Sequence, residues 1–292
     1  MFNLARRHLC VALSFCVLFG LAASVLHAED AKPAKILFFT KSARFEHAVI
    51  AQKDGKPSFA EKILTEMGAK GNFTITTTKD GGAMTPENLA KYDLLMFFTS
   101  GDLTQEKQKD GSAPMTPEGK AAFIAAVKNG LPFICVHNGL KTFDATPEPE
   151  PYVAMLGGIG IAHGKIQMGK NIAVDTKFPG FEDLKDGISI TEEWYANKNY
   201  APDIHVLLVQ DPAGMKDGLY QRPPYPATWA RMYGKGRVFV TGMGHLEETW
   251  TNPVFQSVLN GGIQWALGRV QADLTPNLET VAPKYAELPA KK

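Results

Sequence analysis

From residue 35 onward, short apolar runs alternate with longer amphipathic stretches. Residues 35–40, centred on Ile36-Leu37-Phe38-Phe39, read as a buried strand. Residues 58–67 put Phe59, Ile63, Leu64 and Met67 on one helical face, with Gly68 as the stop. Residues 73–78 are β-branched and alternating, so they predict a second strand. Thr85-Pro86-Glu87 opens a short helix, with Thr as cap and Pro in the first helical position. Residues 93–98 are a third apolar strand. Thr116-Pro117-Glu118 caps a helix that carries Phe123, Ile124 and Val127 and ends at Asn129-Gly130. A fourth apolar run, residues 131–136, stops abruptly at His137-Asn138-Gly139. Continuous apolar runs mark strands covered on both faces. Their alternation with helices predicts an α/β fold: a doubly wound, mostly parallel sheet flanked by helices, in a single domain.

Beyond His137 the pattern loosens. Residues 146–151 are Pro- and Glu-rich and read as a loop, and residues 152–156 as a short helix. Residues 165–174 and 205–210 read as strands, and residues 213–226 as a surface excursion. Residues 227–233, a Gly234-Lys235-Gly236 turn and residues 237–241 predict a β-hairpin. Residues 252–267 form the last amphipathic helix, with Phe255, Val258, Leu259, Ile263 and Trp265 as packing positions. A tail with three prolines, residues 269–292, is expected to be extended or disordered.

Composition changes this picture at the N-terminus. Arg6-Arg7, an apolar stretch from Leu9 to Val25, and Ala28 before Glu29-Asp30 form a secretory signal peptide over residues 1–28. The folded domain is then expected over residues 29–268, in a periplasmic or extracellular protein with no stable membrane anchor after cleavage. Removing the leader takes Lys+Arg from 31 to 29 against 30 acidic residues, so the mature chain is near −1. Such a balance argues against a nucleic-acid partner. Cys10 and Cys16 leave with the leader, so Cys135 remains alone and no internal disulfide can form.

Candidate chemistry centres on histidine. Cys135-Val136-His137-Asn138-Gly139 has the spacing of a nucleophile elbow, with His137 in the nucleophile's place. His47, His163 and His245 also follow strands or sit in Gly-containing loops, and His205, within a strand, reads as structural. Ligands of doubly wound sheets bind beyond the carboxyl ends of the strands. His47, His137 and His245 there suit a divalent metal such as zinc. His137, His163 and Glu193 suit general acid–base catalysis. In the alternative, each histidine only bonds a loop backbone. Arg44, Asp102, Asn138, Trp194, Tyr195 and Trp250 are candidate substrate contacts. Either tryptophan can equally be core, Asp102 a turn cap, and Arg44 a surface ion pair. Cys135 lies inside the apolar run, one pleat below the turn, and reads as inert packing rather than as a hydrolase thiolate. No P-loop or G-x-G-x-x-G follows strand one, so no nucleotide cofactor is expected.

Several stretches together carry a family resemblance. They are Arg44-Phe45-Glu46-His47, Thr99-Ser100-Gly101-Asp102, residues 132–137, Gly157-Gly158 to His163, Glu193-Trp194-Tyr195, and Pro226-Ala227-Thr228-Trp229 through to Gly244-His245. In these the chain resembles the ThuA-like (trehalose utilisation) proteins, which share the class I glutamine amidotransferase-like fold. The resemblance implies an elbow with histidine in place of the amidotransferase cysteine, and a link to sugar metabolism. Cys135 stands where relatives often have glycine. The expected activity is that of an exported hydrolase, lyase or isomerase of a keto-sugar or disaccharide, using the histidine cluster and a metal. A non-catalytic carbohydrate-binding protein is the alternative. On either reading the partner is a small-molecule carbohydrate.

Overall fold

The computed structural model describes residues 32–145 and 150–289. The signal peptide expected over residues 1–28 and most of the loop expected over residues 146–151 lie outside these residues. Strand β1 (Ala34–Phe39) leads to helix α1 (Phe59–Gly71), β2 (Phe73–Thr78), α2 (Pro86–Leu89), β3 (Leu94–Phe97), α3 (Pro117–Asn129) and β4 (Phe133–Val136). Then come α4 (Pro151–Leu156), β5 (Ile159–His163), β6 (Gln167–Ala173), β7 (Ile188–Glu192), β8 (Tyr195–Lys198) and β9 (His205–Asp211). The chain continues through β10 (Tyr225–Tyr233), β11 (Gly236–Thr241), α5 (Glu247–Thr251), α6 (Pro253–Ala266) and α7 (Leu278–Val281). Among the described residues, no helix is long and apolar enough to cross a membrane.

Nine strands form one sheet in the order β2-β1-β3-β4-β11-β10-β9-β6-β7, and β5 pairs with β8 apart from it. The first five strands in that order are parallel, and the pairings from β11 to β7 are antiparallel. Alternate residues feed two cores. Ile36, Phe38, Ile134, Val136 and Phe239 pack with α1 and α6, while Leu37, Phe39, Phe133, Val238 and Val240 pack with α3 and α4. A sheet covered on both faces explains why its central strands are apolar at every position.

Local chemistry decides the element ends. Ser58 and Glu61 form a reciprocal capping box at the start of α1. The expected stop at Gly68 is corrected: α1 runs to Gly71, and Asn72, at φ +54°, takes the left-handed cap with its N–H on the Gly68 carbonyl. The excursion of residues 213–226 is also corrected. Its second half turns inward, with Tyr220, Arg222 and Tyr225 buried. The Tyr220 hydroxyl donates to the Trp194 carbonyl at 2.6 Å and accepts from the Gly164 N–H at 2.9 Å. Residues past Arg269, expected as extended or disordered, carry α7 and dock on β9. The Asn277 amide bonds both the N–H and the carbonyl of Val206, and Leu278 and Ala282 are buried. His205 donates through Nδ1 to the Thr275 carbonyl at 2.7 Å and meets Asp175 at 3.0 Å, a structural role.

Candidate metal centre

β4 delivers His137 to the sheet edge through an elbow. His137 sits at φ +47°, a conformation that costs a non-glycine residue about 1–2 kcal/mol. A single 3-10 turn, His137–Lys141, follows directly. Cys135 lies beneath it, and a Cβ at Gly139 would stand 2.6 Å from the Cys135 sulfur. Glycine at that position therefore makes room for a side chain larger than glycine under the elbow. Cys135 itself is fully buried, which pushes its thiol up to about 12, so no thiolate is available for hydrolysis.

His47 and His245 follow β1 and β11, strands that run parallel to β4 and end on the same edge. Glu193 follows β7, four strands beyond β11. On a flat sheet that is a gap of about 19 Å. Yet Glu192, the last residue of β7, accepts the Gly244 N–H at 2.9 Å, so the antiparallel half of the sheet curls back over the edge. Glu192 is fully buried and accepts from four groups: the N–H of Glu193 at 2.8 Å, of Gly244, and of His245 at 3.1 Å, and the Thr249 hydroxyl at 2.7 Å. Burial pushes its pKa up, while these donors favour the ionised form. It thereby holds the main chains that present Glu193 and His245.

The side chains of His47, His137, Glu193 and His245 converge. One donor atom from each lies within 4.8 Å of the others, close to the span of about 4 Å across a single ion. His137 Nδ1 lies 2.9 Å from the Gly242 carbonyl, which can only accept, so Nδ1 carries the proton and Nε2 keeps its lone pair. That Nε2 faces His245 Nδ1 at 3.2 Å and Glu193 Oε2 at 3.5 Å. His245 Nδ1 is also 3.2 Å from Glu193 Oε2, and His47 Nε2 is 4.0 Å from it. Burial lowers the pKa of His137 to about 4 and lowers that of His47, so both are neutral near pH 7. For His245, burial works downward, but Glu193 and Glu192 outweigh it and the net shift is upward. Burial also works to raise Glu193, yet contact with His137, His245 and His47 holds it far below the carboxylate range. The ionised form of Glu193 is thereby favoured, which suits the ligand role open to it. One proton on His245 cannot serve both the His137 lone pair and this carboxylate. Three imidazoles and one carboxylate turned on a common point fit a divalent cation.

His163 stands beside this cluster. Its Nδ1 is 3.1 Å from Glu193 Oε1 and 2.9 Å from the Gly164 carbonyl, and its side chain is 42% exposed. A cavity of about 650 Å³ opens here, lined among others by Arg44, Asn138, Lys141, His163, Glu193 and Tyr195. Small-molecule sites occupy this size range. Asn138 accepts the Tyr195 hydroxyl at 2.8 Å, which fixes two polar groups on the wall. Three other candidates lie elsewhere. Trp194 packs against Gly169 and donates to the Gln167 carbonyl. Trp250 is fully buried and donates to the Gly244 carbonyl. Asp102 accepts from Thr104 and caps a turn.

The comparisons with known proteins join this geometry. A family profile described as trehalose utilisation, ThuA, matches residues 35–266. The chain belongs to the ThuA family. Among solved structures it is similar to a ThuA-like protein from Bacteroides uniformis, at 18% identity and a TM-score of 0.61, covering 81% of this chain and 92% of that one. A ThuA-like protein from Parabacteroides merdae gives 16% identity and a TM-score of 0.58, covering 89% and 98%. At these identities the likeness is one of fold. A search of curated proteins gave no match. Within the ThuA fold, sequence reasoning picked out the histidines of this chain but passed over Glu192. Only the curl of the sheet reveals Glu192 as a buried clamp beside the candidate Glu193.

Proposed function

We propose that this ThuA-family chain is an exported, metal-dependent enzyme that cleaves or rearranges a keto-sugar or disaccharide. The reading is carried by the convergence of His47, His137, His245 and Glu193 beside an open cavity, in a chain of the trehalose utilisation family. These four residues would hold a divalent metal, which when bound supplies Lewis-acid polarisation of a sugar carbonyl. Imidazole suits zinc, iron, copper and nickel alike, so elemental analysis names the ion.

His163 is the proton carrier. With Nδ1–H shared between Glu193 and the Gly164 carbonyl, Nε2 keeps its lone pair. That nitrogen takes a proton from the carbon next to the carbonyl, and the Glu193 carboxylate at Nδ1 stabilises the resulting imidazolium. The proton then goes to a departing glycosidic oxygen or to the neighbouring carbon. Arg44, Asn138 and Tyr195 orient the substrate from the cavity wall. Export rests on the leader of residues 1–28, and the small-molecule carbohydrate on the family.

The test is elemental analysis of the mature protein and of His137→Ala, with turnover measured on oxidised disaccharides. The expected result is one divalent metal per chain, lost in His137→Ala, and turnover lost in His163→Ala with the metal retained. Saturable sugar binding by a chain that holds no metal and turns nothing over would identify a carbohydrate-binding protein instead.

A further inference from the structure

Phe45 is the one aromatic among the exposed large hydrophobic residues of the described chain, at 54% exposure. The buried Ser100 hydroxyl accepts the Phe45 N–H at 3.0 Å and donates to the Phe45 carbonyl at 2.7 Å. Gly101 lies directly behind, where a Cβ would stand 3.0 Å from that of Arg44. The Phe45 ring meets His47 edge-on, with centroids 4.8 Å apart, so a ring on a main chain held by Ser100 lines the cavity beside the candidate metal centre.

Arg44, next to it, is fixed in plane. Its Nη1 and Nη2 donate to the two oxygens of Asp144 at 3.2 and 2.7 Å. That fork uses two of five N–H donors and leaves the others for a ligand. The Asp144 carboxylate is shared by Arg44 and Lys141, and the Glu193 carboxylate on the same cavity wall balances the second cation. Lys141 is spent internally on Asp144 and on the Gly160 and Ile161 carbonyls. An apolar plate beside a charge-compensated fork of donors suits a neutral polyol with one C–H-rich face, not a sugar acid.

We propose that Phe45 and the Arg44–Asp144 fork form an outer subsite for a neutral pyranose ring. The sugar's C–H face lies on Phe45 and its hydroxyls accept from Arg44, while the reacting ring lies at His163. This deepens the carbohydrate reading above and rests on it. It makes the chain selective for two linked rings over one, and it assigns the stacking role to Phe45 rather than to either buried tryptophan.

Calorimetric titration of the mature, metal-loaded chain with trehalose, maltose and cellobiose, against methyl α-glucoside and glucuronic acid, tests the subsite. Phe45→Ala should weaken the best disaccharide at least tenfold, leave the single-ring probes within twofold, and keep the wild-type metal content. Phe45→Trp should restore binding. Unchanged disaccharide affinity in Phe45→Ala, no rescue by tryptophan, or tighter binding of glucuronic acid overturns the subsite. So does a wild-type chain that holds its metal but binds no disaccharide, and that outcome leaves the metal reading standing. Phe45-dependent binding in a chain without metal sinks the enzyme reading and keeps the subsite.

Discussion

Replacing Glu192 by glutamine tests whether the buried carboxylate builds the site or only the fold. Its Oε1 accepts from Glu193 N and His245 N, and its Oε2 from Gly244 N, His245 N and Thr249 Oγ1. Glutamine fills the same volume, so no cavity term enters. It keeps one acceptor oxygen and turns an NH2 group toward at least one N–H. A hydrogen bond to a charged group contributes about 1.5–3 kcal/mol, and an orphaned buried donor costs about 1–3 kcal/mol. Partial relaxation leaves a loss of roughly 2–4 kcal/mol, readable by urea unfolding. The same groups present His245 and Glu193, and loss of a residue that orients metal ligands weakens binding about 10–100-fold. Competition with a chromophoric chelator measures that second quantity. A variant within about 0.5 kcal/mol of wild type, with unchanged metal affinity, refutes the clamp. Lost stability with intact affinity shows that Glu192 serves the fold alone.

Burial works to raise the Asp144 pKa, but Arg44 and Lys141 outweigh it and hold the carboxyl below its ordinary value of 3.8. A depressed pKa contributes stability above the unfolded value and loses it as pH falls through the folded one. Asp144→Asn should therefore cost about 1–2 kcal/mol at neutral pH, and melting curves of the two proteins should converge in acid. A gap that persists in acid refutes the ion-pair account. The native Cys135 thiol should resist alkylation at neutral and mildly alkaline pH and label fully in denaturant. Rapid native labelling contradicts its burial.

Most of the parallel half of the fold was legible because strands covered on both faces read as continuous apolar runs, as β1, β3 and β4 do. The edge strand β2, four threonines in six residues, was legible by its alternation, and the hairpin of residues 227–241 by its Gly-Lys-Gly turn. His47, His137 and His245 were legible because each follows the end of an apolar run. β5, β7 and β8 were missed, being short and only partly apolar, and β7 carries Ser189, Thr191 and Glu192 in five residues. Without β7 there is no curl, and without the curl Glu192 has nothing to clamp. Phe45 was passed over because an aromatic residue in a loop has no periodicity to betray it. The tail is largely extended, as its prolines suggest, but nothing in its residue pattern signals that Asn277 and Leu278 dock it on β9.

The curl of the sheet has a consequence for the order of assembly. The donors come from positions 47, 137, 193 and 245, and the edge that unites them exists only once β11 has paired and β7 has closed over it. A chain still emerging from the ribosome holds imidazoles but no chelate. An ion held by these four donors would therefore be captured last, from whatever solution surrounds the finished sheet. If the chain crosses a membrane unfolded, as proposed for its leader, such an ion would be set by the compartment of arrival, not by the one in which the protein was made.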